Sequence, residues 1–313
     1  MAMERTRFAD RYPDLCWAGQ TRLTPDGVRQ ASSLLDTTVD SQSLGGDRGV
    51  HFCLPASYRT DLVSHYPVLY LHDGQNVFSL GGTDTTFGWG SWELDRTVDS
   101  LCHEKKMQEI IVVSVDNSHA RPEEYGGTHH VQGGFPTKTA FEKYEEFLTR
   151  ELKPRVDSEY RTLPEAAHTA VMGSSMGGLC SLVLAWDNPQ IFGAAASLSG
   201  AFPVSRPNFL DDVLKGYKGP PKPFRAYLDS GVVGSTGGDD GRSRTEQVVA
   251  ELRRIGWAPG NLQWFVDERT LTRKELEKSN LRPDKWNEAL TSQHNEFYWR
   301  RRAWRALTFI FPP

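Results

Sequence analysis

The chain has 313 residues, a net charge of −4 and an ordinary globular composition, 38% hydrophobic and 24% charged. Its length allows one large α/β domain with a sizeable core. The acidic balance excludes the basic field that nucleic acid or an anionic membrane surface would need. The first ten residues lack the apolar run of a secretory signal, and no stretch approaches a membrane span. Cys16, Cys53, Cys102 and Cys180 lie far apart with no C-x-x-C pair; Cys53 and Cys180, in apolar contexts, read as buried free thiols, and a reduced, cytoplasmic setting is expected.

Residues 1–45 are polar and weakly periodic and read as an N-terminal extension to a domain spanning 46–313. Strands are predicted over 49–54, 66–71 and 109–115, apolar on consecutive positions as in strands covered on both faces. A helix is predicted over 91–106, and an irregular insertion near 119–139. The next helix, 139–156, carries Phe141, Tyr144, Phe147, Leu148 and Leu152 at helical spacing. Further strands follow at 168–172, 192–198, 223–228 and 261–266, with helices over 179–186, 243–255 and 296–309. Strands alternating with helices predict a mostly parallel central sheet with helices on both faces. The run Arg300-Arg301-Arg302 beside Trp299 and Trp304 reads as a solvated helix face.

Gly173-Ser174-Ser175-Met176-Gly177 falls between an apolar strand and a helix, with Gly178 after it. That is the context of a G-x-S-x-G nucleophile elbow, in which a sharp turn lifts the serine hydroxyl off the sheet edge. Such sites order their partners as Ser, then an acid, then His, and His294 is the one histidine after Ser175. An imidazole is needed because a serine hydroxyl is a poor nucleophile until its proton is removed. Asp240 is assigned as the acid, with Asp239 and Asp229 as alternatives near the same sheet edge. Either of Asp239 and Asp240 could instead merely cap the helix starting near residue 242, and Asp229 could hold a turn; Asp267 and Glu268 are weaker candidates. The oxyanion donors expected are the backbone N–H of Met176, at a helix start, and of Gln75, in the loop after the 66–71 strand.

Four segments carry a resemblance: Tyr70-Leu-His-Asp-Gly-Gln-Asn-Val-Phe78, Val115-Asp-Asn-Ser118 with Glu124-Tyr125, Gly173-Ser-Ser-Met-Gly-Gly178, and His294-Asn-Glu296 with Trp299. With these the chain resembles the Putative esterase family of α/β hydrolases, over about residues 48–312. That family includes esterase D-like enzymes, enterochelin esterases, feruloyl esterases and mycolyltransferases. The resemblance implies an α/β-hydrolase fold and hydrolysis of a carboxylic ester through a serine acyl-enzyme, with no cofactor. It implies an acid in the loop after the Tyr-Leu-Asp-x-Gly strand, which favours Asp240 or Asp239 without separating them.

Phe78, Trp89, Trp92, Phe135 and Phe202 fall near the proposed carboxyl edge and could form an aromatic pocket, with Phe78, Trp89 and Trp92 as the expected substrate contacts. His119, His129 and His130 match no metal-site spacing, and no metal is expected. Three function classes follow. One is a serine esterase acting on soluble acyl or aryl esters; a second is an acyltransferase with an alcohol acceptor; a third is a non-catalytic, carbohydrate-binding descendant of the fold.

Overall fold

A computed structural model describes residues 33–79, 85–127, 138–204, 208–234 and 237–313, together with three short strands nearer the N-terminus. The strands in chain order are β1 (Cys16–Trp17), β2 (Arg22–Thr24), β3 (Gly27–Arg29), β4 (Ser33–Ser41), β5 (Gly46–Leu54), β6 (Val68–His72), β7 (Ile111–Val115), β8 (Thr169–Ser174), β9 (Ala194–Leu198), β10 (Arg225–Gly231) and β11 (Leu262–Asp267). Among the described residues, nine of them form one sheet in the order β1-β4-β5-β7-β6-β8-β9-β10-β11, and β2 pairs with β3 apart from it. All pairs from β7 to β11 are parallel. The β1–β4, β4–β5 and β5–β7 pairs are antiparallel.

The stretch read as a polar extension contributes β4. Ser33–Ser41 pairs residue for residue with Gly46–Leu54, and the position expected for the domain boundary falls in the hairpin turn at Gly45, φ +73°. Leu34, Leu35 and Val39 are buried while Asp36, Thr38 and Asp40 are exposed. Leu34 and Leu35 enter opposite apolar layers, but from Asp36 onward only the Val39 side is buried, so the strand's apolar residues are too few to stand out in sequence.

The principal helices are α1 (Leu94–His103), α2 (140–159), α3 (Met176–Asp187), α4 (Arg242–Ile255) and α5 (Glu296–Ile310). Successive strand residues point to opposite faces, and two apolar layers follow from that. Tyr70, Val113, Val171, Ala195 and Leu228 face a layer containing Phe141, Tyr144, Leu179, Val248 and Leu252, from α2, α3 and α4. Leu69, Leu71, Val112, Met172, Ala196 and Tyr227 face the other, with Leu94, Val98, Ala303, Leu307 and Ile310 from α1 and α5. Pro154 lies inside α2 and has no N–H to donate. The turn before it widens to a π-helix over Phe147–Leu152, with Lys153 N–H bonding Leu148 O. Among the described residues no helix is long and apolar enough to cross a membrane.

The order β7-β6-β8 positions the site. The chain leaves β6 for β7 on one side and returns to β8 on the other. A crevice therefore opens outside the carboxyl ends of β6 and β8, where open α/β sheets bind their ligands.

Candidate active site

Ser175 joins β8 to α3 with φ 54° and ψ −121°, so the backbone strain of the elbow sits on the serine itself. The neighbouring glycines serve close approach. A Cβ on Gly173 would lie 2.6 Å from the Gly177 carbonyl carbon, and one on Gly178 2.6 Å from Ser197 Oγ. Ser175 N–H donates to Leu198 O at 2.9 Å, and its carbonyl accepts from Ala201 N–H at 2.9 Å, which stitches the turn to the end of β9. The hydroxyl is thereby raised above the crevice.

His294 stands in the loop before α5, with Nε2 2.9 Å from Ser175 Oγ and Nδ1 2.6 Å from Asp240 Oδ1. Its neighbour Gln293 holds that loop in place. The fully buried Gln293 amide accepts from Val232 N–H at 2.7 Å and donates to the carbonyls of Asp267 and Arg269 at 3.0 Å each. The imidazole is thus pinned to the ends of β10 and β11.

Asp240, φ 54°, is returned to the end of β10 by the Gly-rich loop; its Oδ2 accepts from Gly231 N–H at 2.6 Å and from Ser199 Oγ at 2.7 Å. Burial disfavours the charged carboxyl, but the His294 hydrogen bond, the Arg302 charge and the Ser199 hydroxyl outweigh it and hold the group below its usual range. An ionised Asp240 can only accept, so the His294 proton lies on Nδ1 and Nε2 is left to accept from the serine hydroxyl. Of the alternatives, Asp239 caps α4 through Ser243 N–H at 2.9 Å. Asp229 is fully buried, accepts from Tyr227 OH at 3.1 Å and faces Arg302. Of the three carboxylates, it is Asp240 that bonds His294.

On the other side of Ser175, the loop after β6 makes a short 3-10 turn over Gly74–Asn76, with Asp73 before it at φ 60°. Gln75 and Met176 stand in the first turns of their helical segments, where N–H groups have no intrahelical partner. The loop is clamped by the segment after β7. Arg121 Nε and Nη2 donate to Asp73 Oδ1 and Oδ2 at 2.6 and 2.7 Å, and Asn117 Nδ2 to Oδ1 at 2.5 Å. Asn117 N–H also donates to Gln75 Oε1 at 3.1 Å. A Cβ on Gly74 would strike the backbone of Val115 at 2.7 Å, so glycine is required for this docking. Burial holds the adjacent His72 near a pKa of about 4 and so neutral.

The aromatic residues expected to line a pocket are used in packing. Phe78 and Trp92 belong to the layer with α1 and α5, and Trp89 packs with Leu271, Leu276 and Phe297. Trp92 reaches the site indirectly, through Trp299, whose ring lies edge-on to His294 at 5.1 Å. Phe202 is fully buried in the core. Phe135, His129 and His130 lie outside the described residues, and His119 is exposed. Among the described residues no group of three or more potential ligands could hold a metal.

Sequence reasoning missed Ser199, Gln293, Arg121 and Arg302. The reading of 300–302 as a solvated face fails for Arg302, which is 2% exposed. The signal was its register: Trp299, Arg302, Ala303, Ala306, Leu307 and Ile310 share the core stripe of α5.

The chain matches the family described as Putative esterase over residues 41–307. It is 28% identical over 175 residues to the endo-1,4-beta-xylanase/feruloyl esterase of Xylanibacter ruminicola, covering 54% of this chain and 22% of that protein. It spans between 22% and 60% of the length of the first curated relatives it matches. Among solved structures, a ferulic acid esterase superposes with a TM-score of 0.64 at 17% identity, covering 90% of this chain and 98% of that one. The enterobactin esterase FES of Shigella flexneri gives 0.62 at 17% identity, covering 94% and 61%. These likenesses show the α/β-hydrolase fold, and the family match covers most of the chain: this protein belongs to the Putative esterase family.

Proposed function

We propose that this protein is a serine hydrolase of carboxylic esters in which Ser175 is the nucleophile, His294 the base and Asp240 the acid that orients it. The observation that carries this reading is the unbroken path from Asp240 Oδ1 to His294 Nδ1 at 2.6 Å and from His294 Nε2 to Ser175 Oγ at 2.9 Å. As Ser175 Oγ attacks the ester carbonyl, its proton passes to His294 Nε2, and Asp240 stabilises the imidazolium. The tetrahedral oxyanion is received by the N–H groups of Met176 and Gln75, each such donor being worth about 10²–10³ in turnover. Collapse breaks the bond to the alkoxy oxygen, which leaves as the alcohol with the proton from His294. Water then repeats the sequence on the acyl-enzyme, releasing the carboxylic acid and restoring the hydroxyl.

The family match supports an ester substrate. Aryl esters such as feruloyl esters are the first to try, since the Xylanibacter relative is named for that activity. The test is Ser175→Ala, assayed on short p-nitrophenyl and feruloyl esters beside fluorophosphonate labelling of the wild type. Hydrolysis should fall by roughly 10⁴–10⁶ and labelling should vanish. Equal rates in the two proteins would remove the assignment.

A further inference from the structure

Beneath Asp240 lies a buried cation for which the ester chemistry above has no use. Arg302, on the core face of α5, donates from Nη2 to Ser199 Oγ at 2.6 Å and stands 3.7 Å from Asp240 Oδ2. Its Nε lies 3.2 Å from Asp229 Oδ1. Trp299 Nε1 donates to the same Ser199 oxygen at 3.1 Å. With both lone pairs taken, the Ser199 hydrogen can point only to Asp240 Oδ2, 2.7 Å away. Gly231 N–H fills the rest of Oδ2, and Oδ1 is left to His294.

A purely structural role explains Arg302 poorly. Among the described residues its Nε and Nη1 have no hydrogen-bond partner, nor has Asp229 Oδ1, so the Arg302–Asp229 pair is a charge contact without hydrogen-bond geometry. A leucine at this place on an apolar stripe would avoid the cost of burying those donors unpaired.

Resting on the Ser175–His294–Asp240 reading, we propose that Arg302 is a positioning residue for Asp240: it fixes the carboxylate through Ser199 and neutralises it by charge. Asp229 shares that charge and sets how much of it Asp240 feels. The groups facing Arg302 are Asp229 and Tyr227 on β10, Asp240 in the loop after it, and Asp267 at the end of β11. His294 meets Asp240 from the loop before α5. Burial raises the Asp229 carboxyl to about 6, with Arg302 opposing and Asp240 adding to the shift, so the two carboxylates compete for one cation.

The experiment compares Arg302→Met, Arg302→Lys and Asp229→Asn by kcat, KM and the pH profile of kcat/KM on a p-nitrophenyl ester. In Arg302→Met the imidazolium faces an unneutralised Asp240 and gains stability. The acid limb should rise by on the order of half a pH unit. Its kcat should fall about tenfold to a hundredfold, short of the ~10⁴ for losing the acid, with KM near wild type. Arg302→Lys keeps the charge and should return the limb toward wild type. Asp229→Asn should move the limb the other way, to lower pH. Limbs of Arg302→Met and Asp229→Asn that coincide with wild type while only Tm falls would overturn the positioning role. If Arg302→Met does not fold, Asp229→Asn, which retains the cation, decides by the same criterion. Loss of activity in Ser175→Ala with unmoved limbs sinks the role of Arg302 alone, whereas retained activity in Ser175→Ala sinks the underlying reading.

Discussion

The two sides of Ser175 hold their groups in different ways. On the β10 side, Asp240, Ser199, Gln293 and Arg302 are all buried, and each position is fixed by hydrogen bonds to strand ends and to α5. On the β6 side, the loop bearing Gln75 is held by Asn117 and by the Arg121–Asp73 ion pair, in which the Arg121 side chain is 26% exposed. A group that must keep a charge in a fixed direction is shielded from water, where electrostatic interactions are strongest. Backbone donors need only be held at the right distance, and a half-exposed clamp suffices for that.

Breaking the buried side should have the larger consequence. Asp240→Asn keeps the shape of the carboxyl but lets the imidazole adopt the wrong tautomer, and kcat should drop by roughly 10⁴. Asp239→Asn, altering only the cap of α4, should stay within about threefold of wild type, since a cap acts on stability and not on the base. Steady-state kinetics on the three proteins decides this, and a comparable loss in Asp239→Asn would reassign the acid.

The half-buried clamp should give a smaller loss. Arg121→Leu leaves the Asp73 carboxylate held by Asn117 and lets the Gln75 loop shift, and a displacement of about 1 Å at such a donor costs up to ~10² in kcat. KM should change little, and added salt should weaken wild type toward the variant because the pair is partly solvated. An unchanged kcat would mean that Gly74 docking and the Asn117 bonds fix the loop without the ion pair.

The smallest effect lies farther out, where His51 joins Asp36 at 2.7 Å and Asp116 at 2.8 Å. Burial opposes the imidazolium, but hydrogen bonds to Asp116 and Asp36 outweigh it and raise the pKa to about 9. A pKa raised above the unfolded value of about 6.5 means stability fully present below pH 6.5 and lost as pH climbs through 9. Asp116→Asn should therefore flatten that decline, worth on the order of 2 kcal/mol, in urea unfolding at pH 6 and pH 9.5. Parallel slopes for the two proteins would assign the decline to other groups.

Much of this architecture was legible in the sequence because both-face burial writes continuous apolar runs. Residues 109–115 announced β7 and 168–172 announced β8. The strand at Ser33–Ser41 was not, since beyond Leu34 and Leu35 it carries a single apolar residue, Val39. Ser175 and His294 could be picked out from motif and chain order. Asp240 could not be separated from Asp239 by spacing, because adjacent residues differ only in where the loop turns. The glycine-rich stretch conceals that turn, and it is φ +54° at Asp240 that decides it. Arg302 was hidden by its neighbours: in a run of three arginines, helical register alone tells which one is enclosed.

The hydroxyl and imidazole that meet at 2.9 Å are 119 positions apart along the chain, and 54 positions separate that imidazole from Asp240. Closing loops of that span carries a large entropic penalty before any contact rewards it, so such pairings form late in folding. A collapsed intermediate with the central strands in place but β10, β11 and α5 undocked would be compact yet inert. Recovery of turnover during refolding should thus trail the burial of the central strands, which makes activity a clock for the final docking step.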